Sequence, residues 1–178
     1  MPGNAFIQFR KEDGGQAPGE SQQIGHLGSG GWIEIGDWSW DVEAEASHLK
    51  GTGAAVGKPS AGVLSFSHYY DKSSPVLMQF IVKGTHFKYA RIDMLKQTGK
   101  DQPELYLQFG FKNVFITKVA SKGGEDGAVT QDVEFVCKEV ALAYKRQNNK
   151  GVLEAAKFFY WNIAEMTDST DGGLLTLK

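Results

Sequence analysis

The sequence predicts a mainly β fold: a compact β-barrel or two-sheet sandwich with one short flanking α-helix at about residues 75–83. Three observations support this class. Apolar and polar side chains alternate in seven or eight short runs, which is the pattern of half-buried strands. Only one segment combines helical spacing with a start and a stop signal. Glycine occupies 22 of the 178 positions, so turns are frequent.

The first strands alternate with glycine-rich stretches. An apolar run over 5–9 predicts the first strand, and seven glycines over 10–31 predict a long loop. The alternation over 32–42 changes parity at Gly36 and Asp37, which predicts a β-bulge there. Four glycines over 43–62 predict a second flexible loop, long enough to project from the domain.

A strand over 63–70 leads into the predicted helix. Ser74 fits the N-cap, Pro75 fits the first helical position, and Gly84 fits the left-handed residue that ends a helix. Leu77 and Phe80 share one helical face with Ile81. The helix is therefore expected to pack this stripe against an apolar surface.

Four further β-rich runs complete the domain, over 87–95, 105–119, 130–145 and 156–163. The second run changes parity near Lys112 and Asn113, which again indicates a bulge. Residues 1–164 are predicted to form one β domain. Residues 165–178 are predicted to form a C-terminal extension, and their polar start and paired glycines favour disorder in the free protomer.

Composition excludes several classes of function. Nineteen basic and twenty-one acidic residues give a net charge of −2, so nucleic acid is not an expected partner. The single cysteine excludes an internal disulfide and a multi-cysteine metal site. No stretch approaches the roughly 20 apolar residues of a membrane-spanning helix, and the N-terminus lacks a signal-peptide pattern. We therefore expect a soluble protein without membrane insertion.

The residues that could suggest phosphate binding, metal binding or catalysis are better explained by structural roles. The glycines between Gly51 and Lys58 lack the spacing of a phosphate-binding loop, and the four histidines lack metal-ligand spacing, so no cofactor or metal is predicted. His68 and Asp71 would pair as a base and its orienting group in an enzyme, but a histidine at a strand end is the favoured interpretation. Cys137 shares parity with buried positions and is predicted to be a structural thiol.

The four tryptophans leave one alternative open. Trp32, Trp38, Trp40 and Trp161 lie at strand parity, which favours the core, but surface tryptophans would suit a sugar-binding face. A small-ligand or carbohydrate-binding β-barrel module is therefore the alternative to the function suggested below.

The order of the segments resembles one known family. The segments that carry the likeness are NAFIQF at 4–9, IEI at 33–35 before WSW at 38–40, LSFSHYYDKSSP at 64–75, KGTHF at 83–87, ARID at 90–93, EVALAY at 139–144 and AKFFYWNI at 156–163. The chain resembles the Hcp family, the haemolysin-coregulated proteins that are tube subunits of bacterial type VI secretion systems. The strand-to-helix block from Ser65 to Pro75 is the most specific part.

The resemblance implies a non-enzymatic structural protein. Its partners would be further copies of itself in homohexameric rings that stack into a tube, a spike protein at the tube tip, a contractile sheath, and secreted effectors held and stabilised in the lumen. It implies assembly in the cytoplasm followed by secretion without a signal peptide. The loop over 10–31 and the extension over 165–178 depart from the family pattern.

The projecting loop is the expected site of ring stacking. Rings close by one head-to-tail contact and stack by another, so a subunit needs two unlike surfaces. His48, Leu49 and Lys50 form the non-glycine centre of the loop over 43–62, and an exposed leucine there suits an interface. These three residues are the predicted ring-stacking site.

Overall fold

The computed structural model describes residues 4–46, 56–168 and 173–177. Within these ranges the chain forms eleven β-strands and one α-helix, which confirms the mainly β prediction. The elements in chain order are β1 Ala5–Arg10, β2 Trp32–Ile35, β3 Trp38–Ser39, β4 Val42–Ala46, β5 Val56–Ala61, β6 Leu64–Tyr69, α1 Ser73–Lys83, β7 Phe87–Lys96, β8 Glu104–Gly123, β9 Val129–Val136, β10 Glu139–Tyr144 and β11 Lys157–Asn162.

The 20-residue strand β8 organises the fold because it belongs to two sheets. Its first half pairs with β7 on one edge and β10 on the other, in the order β2-β1-β7-β8-β10-β11. Its second half pairs with β9, in the order β8-β9-β6-β3. All pairings are antiparallel. The sheets share β8 but do not close into a barrel, so the fold is an open two-sheet arrangement.

Asn113 marks the point where β8 passes from one sheet to the other. Its φ of 53° is left-handed, and Asn tolerates this conformation better than most side chains do. Before it Phe109 and Phe111 face the core, and after it Val114 and Ile116 do so. The predicted change in which alternate side chains face the core is therefore present, and it occurs within one continuous strand.

The parity change at Gly36 and Asp37 also has a different origin from the predicted bulge. β2 ends at Ile35 and pairs with β1, whereas β3 begins at Trp38 and pairs with β6. The Gly36 N–H donates to the Ser67 carbonyl at 2.7 Å. The chain switches sheets at these two residues, and the switch changes which side chains face inward.

Buried side chains from both sheets and from α1 form the main core. Phe9 lies at its centre, with its ring centroid 4.9 Å from that of Phe87, 6.0 Å from Phe135 and 6.1 Å from Phe66. Leu77 is the fully buried contribution of the helix. Burial of this aromatic and aliphatic set is the main stabilising term of the fold.

The helix begins at Ser73, two residues before the predicted start, with Lys72 at the N-cap position and the Asp71 carboxylate bonded to the first helical N–H. The Asp71 Oδ1 atom accepts the Ser73 N–H at 2.8 Å, and the Ser74 Oγ atom accepts the Asp71 N–H at 3.1 Å. The prediction of Ser74 as the N-cap is therefore wrong. Gly84 ends the helix in the left-handed region at φ 66°, as predicted.

The described parts of the two glycine-rich stretches, 10–31 together with 43–46 and 56–62, contain backbone hydrogen bonds that tie them to strands or to each other. In the first, the buried Ala17 donates its N–H to the Phe9 carbonyl at 3.0 Å, which fixes the loop against β1. In the second, β4 and β5 pair as a separate two-stranded sheet, with Val42 opposite Ala61. Glycine content therefore predicted a loop at 43–46 and 56–61, where the described residues form paired strands.

The C-terminal segment 173–177 packs on the domain, and the disorder expected for the extension over 165–178 in the free protomer stays a prediction. Leu174, Leu175 and Leu177 are buried in a small second cluster with Ala141 and Ala143. The three leucines explain the outcome because they remove apolar surface from water on docking. No helix in the described parts of the chain has the length and apolar character needed to span a membrane.

Candidate assembly surfaces

The strands β4 and β5 form an arm that pairs with no other strand among the described residues. The side chains described on it are mostly exposed, including Glu43 and Glu45. The strands approach closely at Gly57, where an added Cβ would lie 2.9 Å from the Glu45 carbonyl oxygen. The predicted stacking residues His48, Leu49 and Lys50 lie outside the described residues, between these two strands.

An aromatic edge lies at β11. This strand pairs with β10 on one side, and Phe158 and Phe159 are 45% and 41% exposed. Tyr144 follows on β10, opposite Lys157, and is also exposed. Exposed apolar side chains that lie together on a surface are typical of a protein–protein contact. We call Tyr144, Phe158 and Phe159 the β11 edge patch.

A second apolar surface lies where β6, α1 and β9 meet. Tyr69 is 73% exposed, and Tyr70, Met78 and Val129 are each more than 40% exposed. The Tyr70 N–H donates to the Val129 carbonyl at 3.0 Å, and its hydroxyl donates to the Met78 sulfur at 3.6 Å. These contacts join Tyr70, Met78 and Val129, and Tyr69 directly precedes Tyr70 in the chain. We call Tyr69, Tyr70, Met78 and Val129 the helix patch.

The helix patch and the β11 edge patch include residues at opposite ends of the chain segment that forms β9 and β10. Val129 begins β9 and Tyr144 ends β10, and the segment between them is extended except at Cys137 and Lys138. The patches also differ in composition and in the elements that carry them. Two unlike, separated surfaces on one subunit are what a head-to-tail contact between copies requires.

His68 and Asp71 do not form a catalytic pair in this geometry. The buried His68 places its Nε2 atom 2.8 Å from Gln131 Oε1 and its Nδ1 atom 3.9 Å from Asp71 Oδ1. That second distance is beyond hydrogen-bonding range, and the Asp71 carboxylate is bonded to the first N–H of α1. Both residues line a cleft of about 440 Å³ together with Glu20, Glu34 and Asp37. His68 is thus the strand-end histidine that the sequence favoured.

The tryptophans do not form an exposed platform for a sugar ring. Trp32 and Trp161 are buried, and Trp38 and Trp40 are half-buried. The last two meet the Phe109 ring edge-on, with centroids 5.1 and 6.2 Å away. The described residues contain no group of three or more His, Cys, Asp or Glu side chains that could hold a metal ion.

Cys137 lies at the junction of β9 and β10 rather than inside a strand, and it packs against the main core. Burial, assisted by the Glu139 carboxylate, raises the pKa of its thiol from the ordinary value of 9.0 to about 12. The thiol therefore stays protonated at neutral pH and is a weak nucleophile.

The sequence did not identify either aromatic patch as a surface. Phe158 and Phe159 are adjacent, so they point to opposite faces of β11, and only one of them can face a core on one side of the sheet. Their adjacency was therefore a local signal of an exposed aromatic side chain. The exposure of both follows from the edge position of β11, which is a property of the complete sheet.

Solved structures of type VI secretion proteins share this fold. A structure described as a type six secretion system protein has a TM-score of 0.81 and 22% identity, over 93% of this chain and 98% of that one. Hcp1 from Salmonella typhimurium has a TM-score of 0.71 and 26% identity, over 93% of this chain and 99% of that one.

Sequence comparison specifies the family. The family model described as "Type VI secretion system effector, Hcp" matches residues 6–150. Protein hcp1 of Pseudomonas aeruginosa is 32% identical over 154 residues, which is 85% of this chain and 92% of that protein. The chain therefore belongs to the Hcp family of type VI secretion tube proteins, which confirms the resemblance seen in the sequence.

Proposed function

We propose that the chain is the structural subunit of a type VI secretion inner tube, in which six copies close into a ring and the rings stack. The observation that carries the proposal is the pair of unlike exposed surfaces, the β11 edge patch and the helix patch. A head-to-tail contact joins two different surfaces and leaves one of each free, so it repeats until the ring closes. Family membership supports the same conclusion.

The β11 edge patch supplies apolar contact area for ring closure through its exposed aromatic side chains. The helix patch offers tyrosines that combine apolar surface with hydroxyl groups. The near-zero net charge of −2 keeps repulsion between copies low.

The arm formed by β4 and β5 is the proposed site of ring stacking. It is a two-stranded sheet separate from the shared sheets, and His48, Leu49 and Lys50 lie between its two strands in the sequence. We assign these three residues to contact with the next ring. Replacing Leu49 and Lys50 with Ser should leave single rings intact and abolish tubes in electron micrographs, whereas unchanged tubes would reject the assignment.

The rest of the proposal describes what a subunit of such a tube does in the cell. We assign residues 1–164 to the tube domain and 165–178 to a C-terminal extension. The tube is assembled in the cytoplasm, tipped by a spike protein and expelled by a contractile sheath, and its lumen holds effectors. The role requires no catalysis by the chain.

The molar mass of the purified protein in solution tests ring formation. Size-exclusion chromatography with light scattering should give a mass near six times the 19.5 kDa of one chain. A mass of one chain at all concentrations tested would contradict the proposal. A single chain whose thermal stability rises on addition of a sugar would instead favour a carbohydrate-binding module.

A further inference from the structure

The cleft that His68 and Asp71 line is acidic. Its volume is about 440 Å³, and its walls come mainly from the end of β2, the end of β6 and the turn before α1. Among the described residues that line it there is no lysine or arginine. The carboxylates on its walls belong to Glu20, Glu34, Asp37 and Asp71. A concave site lined by charges of one sign attracts ions of the opposite sign, so this cleft favours a cation.

One oxygen of Asp71 is available to a ligand in the cleft. The Asp71 side chain is only 10% exposed, and its Oδ1 atom accepts both the N–H and the hydroxyl of Ser73. The Oδ2 atom has no hydrogen-bond partner within the described ranges, and it is not sealed from solvent. A nearly buried carboxylate that lacks a partner on one oxygen is stabilised by a donor that enters from the cleft.

The imidazole of His68 places a second unpaired acceptor beside Asp71. The side chain is fully buried, and its Nε2 atom lies 2.8 Å from Gln131 Oε1, which only accepts, so Nε2 carries the ring proton. The Nδ1 atom is then an acceptor, and no described residue donates to it. It faces Asp71 Oδ1 at 3.9 Å. Two acceptors that face each other favour a positively charged donor next to them.

The rim and the floor of the cleft suit a planar cation on an apolar stem. Tyr69 and Tyr70 line the cleft and are 73% and 41% exposed. The face of an aromatic ring attracts a guanidinium or ammonium group. Ile35 also lines the cleft and is buried, so it offers apolar contact to the methylene groups of a long cationic side chain.

These features favour an organic cation over a metal ion. A metal ion needs several ligands around one point, and no group of this kind occurs in the described parts of the chain. A guanidinium group spreads its charge over a planar fork of N–H donors. It therefore reaches several separated acceptors at once and also stacks on tyrosine.

We propose that this cleft is a binding site for a guanidinium group. Asp71 Oδ2 accepts from the cation, the unpaired nitrogen of His68 lies behind that carboxylate, and the tyrosines cover the planar face. Two sources carry this group, a free small guanidino compound and the arginine side chain of a polypeptide. The site is contained in one chain, so the proposal does not depend on ring formation.

Isothermal titration calorimetry of the full-length protein tests the proposal with two matched peptides. The probe is an acetylated and amidated glycine–arginine–glycine tripeptide. Its control carries citrulline in place of arginine, which has nearly the same shape and no charge. We expect a Kd at least about tenfold lower for the arginine peptide, because charge-assisted hydrogen bonds are stronger than neutral ones. Equal affinity for the two peptides would overturn the proposal.

Methylguanidinium chloride, as a third probe, distinguishes the two sources. Tighter binding of methylguanidinium than of the arginine peptide would assign the site to a free small cation. Tighter binding of the peptide would assign it to an arginine side chain. Either result supports a guanidinium site, whereas binding of neither compound would contradict it.

Asp71→Asn keeps an oxygen for Ser73 and removes the negative charge. We expect it to weaken binding of the arginine peptide at least about tenfold. The matched control is Asp126→Asn, because Asp126 is exposed in the turn between β8 and β9 and also accepts a backbone N–H, that of Ala128 at 3.1 Å. Equal weakening by both variants would mean attraction to net charge alone, and the cleft would not be the site.

A rim variant keeps the test decisive if Asp71→Asn does not fold. Glu20→Gln combined with Asp37→Asn alters only exposed side chains and should weaken binding by about threefold. The titration is repeated on the chain with Phe158→Ser and Phe159→Ser, in which no neighbour is expected to cover the cleft. Absence of arginine-peptide binding to both the natural chain and this variant would overturn the proposal. Light scattering on the same samples tests ring formation separately.

Discussion

Phe80 of α1 stacks face to face on Phe87 at the start of β7, with ring centroids 3.9 Å apart and planes 2° apart. Phe87 is fully buried, so this pair anchors the helix on the sheets. Phe80→Leu keeps an apolar side chain and removes the ring contact. We expect a loss of about 1 kcal/mol in the free energy of unfolding, measured by urea denaturation.

The exposed Val82 on the same helix provides the control for that substitution. Val82→Ala should change the free energy of unfolding by no more than about 0.5 kcal/mol. Equal effects of the two substitutions would show that the aromatic pair does not anchor the helix.

The left-handed backbone at Asn113 predicts that a glycine variant is more stable than a valine variant, the reverse of the usual preference in a strand. A β-branched side chain is strained at a φ of 53°, so Asn113→Val should cost about 1–2 kcal/mol even though the site lies in a strand. Asn113→Gly should retain stability close to that of the natural chain. Comparison of the urea midpoints checks this order, and a valine variant as stable as the glycine variant would contradict it.

The raised pKa of Cys137 predicts a slow reaction with alkylating agents. A shift from 9.0 to about 12 lowers the thiolate fraction at pH 8, so iodoacetamide labelling of the folded chain should be about a thousandfold slower than labelling of the unfolded chain. Because the folded state holds the thiol proton more tightly, this group destabilises the fold as pH rises above the unfolded pKa of about 9, until the folded pKa is reached.

A cysteine at an exposed helix position calibrates the reagent. Val82→Cys in a Cys137→Ser background should be labelled at nearly the same rate whether the chain is folded or unfolded. Rapid labelling of Cys137 in the folded natural chain would mean that the thiol is not shielded as described.

The β11 edge patch predicts an assembly defect without a folding defect. Phe158→Ser combined with Phe159→Ser removes exposed aromatic surface, and each substitution should cost about 2 kcal/mol of association free energy if these residues are interface hot spots. Light scattering should then report one chain at concentrations where the natural protein forms rings. Lys157→Ser, exposed on the same strand, should leave the mass unchanged.

The unfolding temperature separates an interface effect from a structural one. At a protein concentration where neither form is assembled, the doubly substituted chain should unfold within a few degrees of the natural chain. A ring mass unaffected by both substitutions would remove the β11 edge patch from the proposed contact.

Local sequence patterns predicted whether a segment is a strand or a helix better than they predicted which strands pair with each other. The alternation of side chains located the parity changes at Gly36 and at Asn113. It did not show that the first is a switch between sheets, because β2 and β3 differ only in the strands with which they pair. The helix stop at Gly84 was predictable from one residue, whereas the bond from Asp71 to the helix start depends on how the preceding strand ends.

The surfaces that carry the proposed function were hard to predict because they depend on long-range pairing. Phe158 and Phe159 have the composition of a buried strand, and only the edge position of β11 exposes them. The leucines of the C-terminal segment have no local partner. They pack where Gly110 and Ala141 are brought side by side by two strands that are distant in sequence.

Electron microscopy of the purified full-length protein tests the central claim most directly. We expect class averages that show closed rings with six-fold symmetry, some of them stacked end to end. Particles of a single subunit, or dimers with two-fold symmetry at every concentration, would contradict the assignment of this chain as a tube subunit.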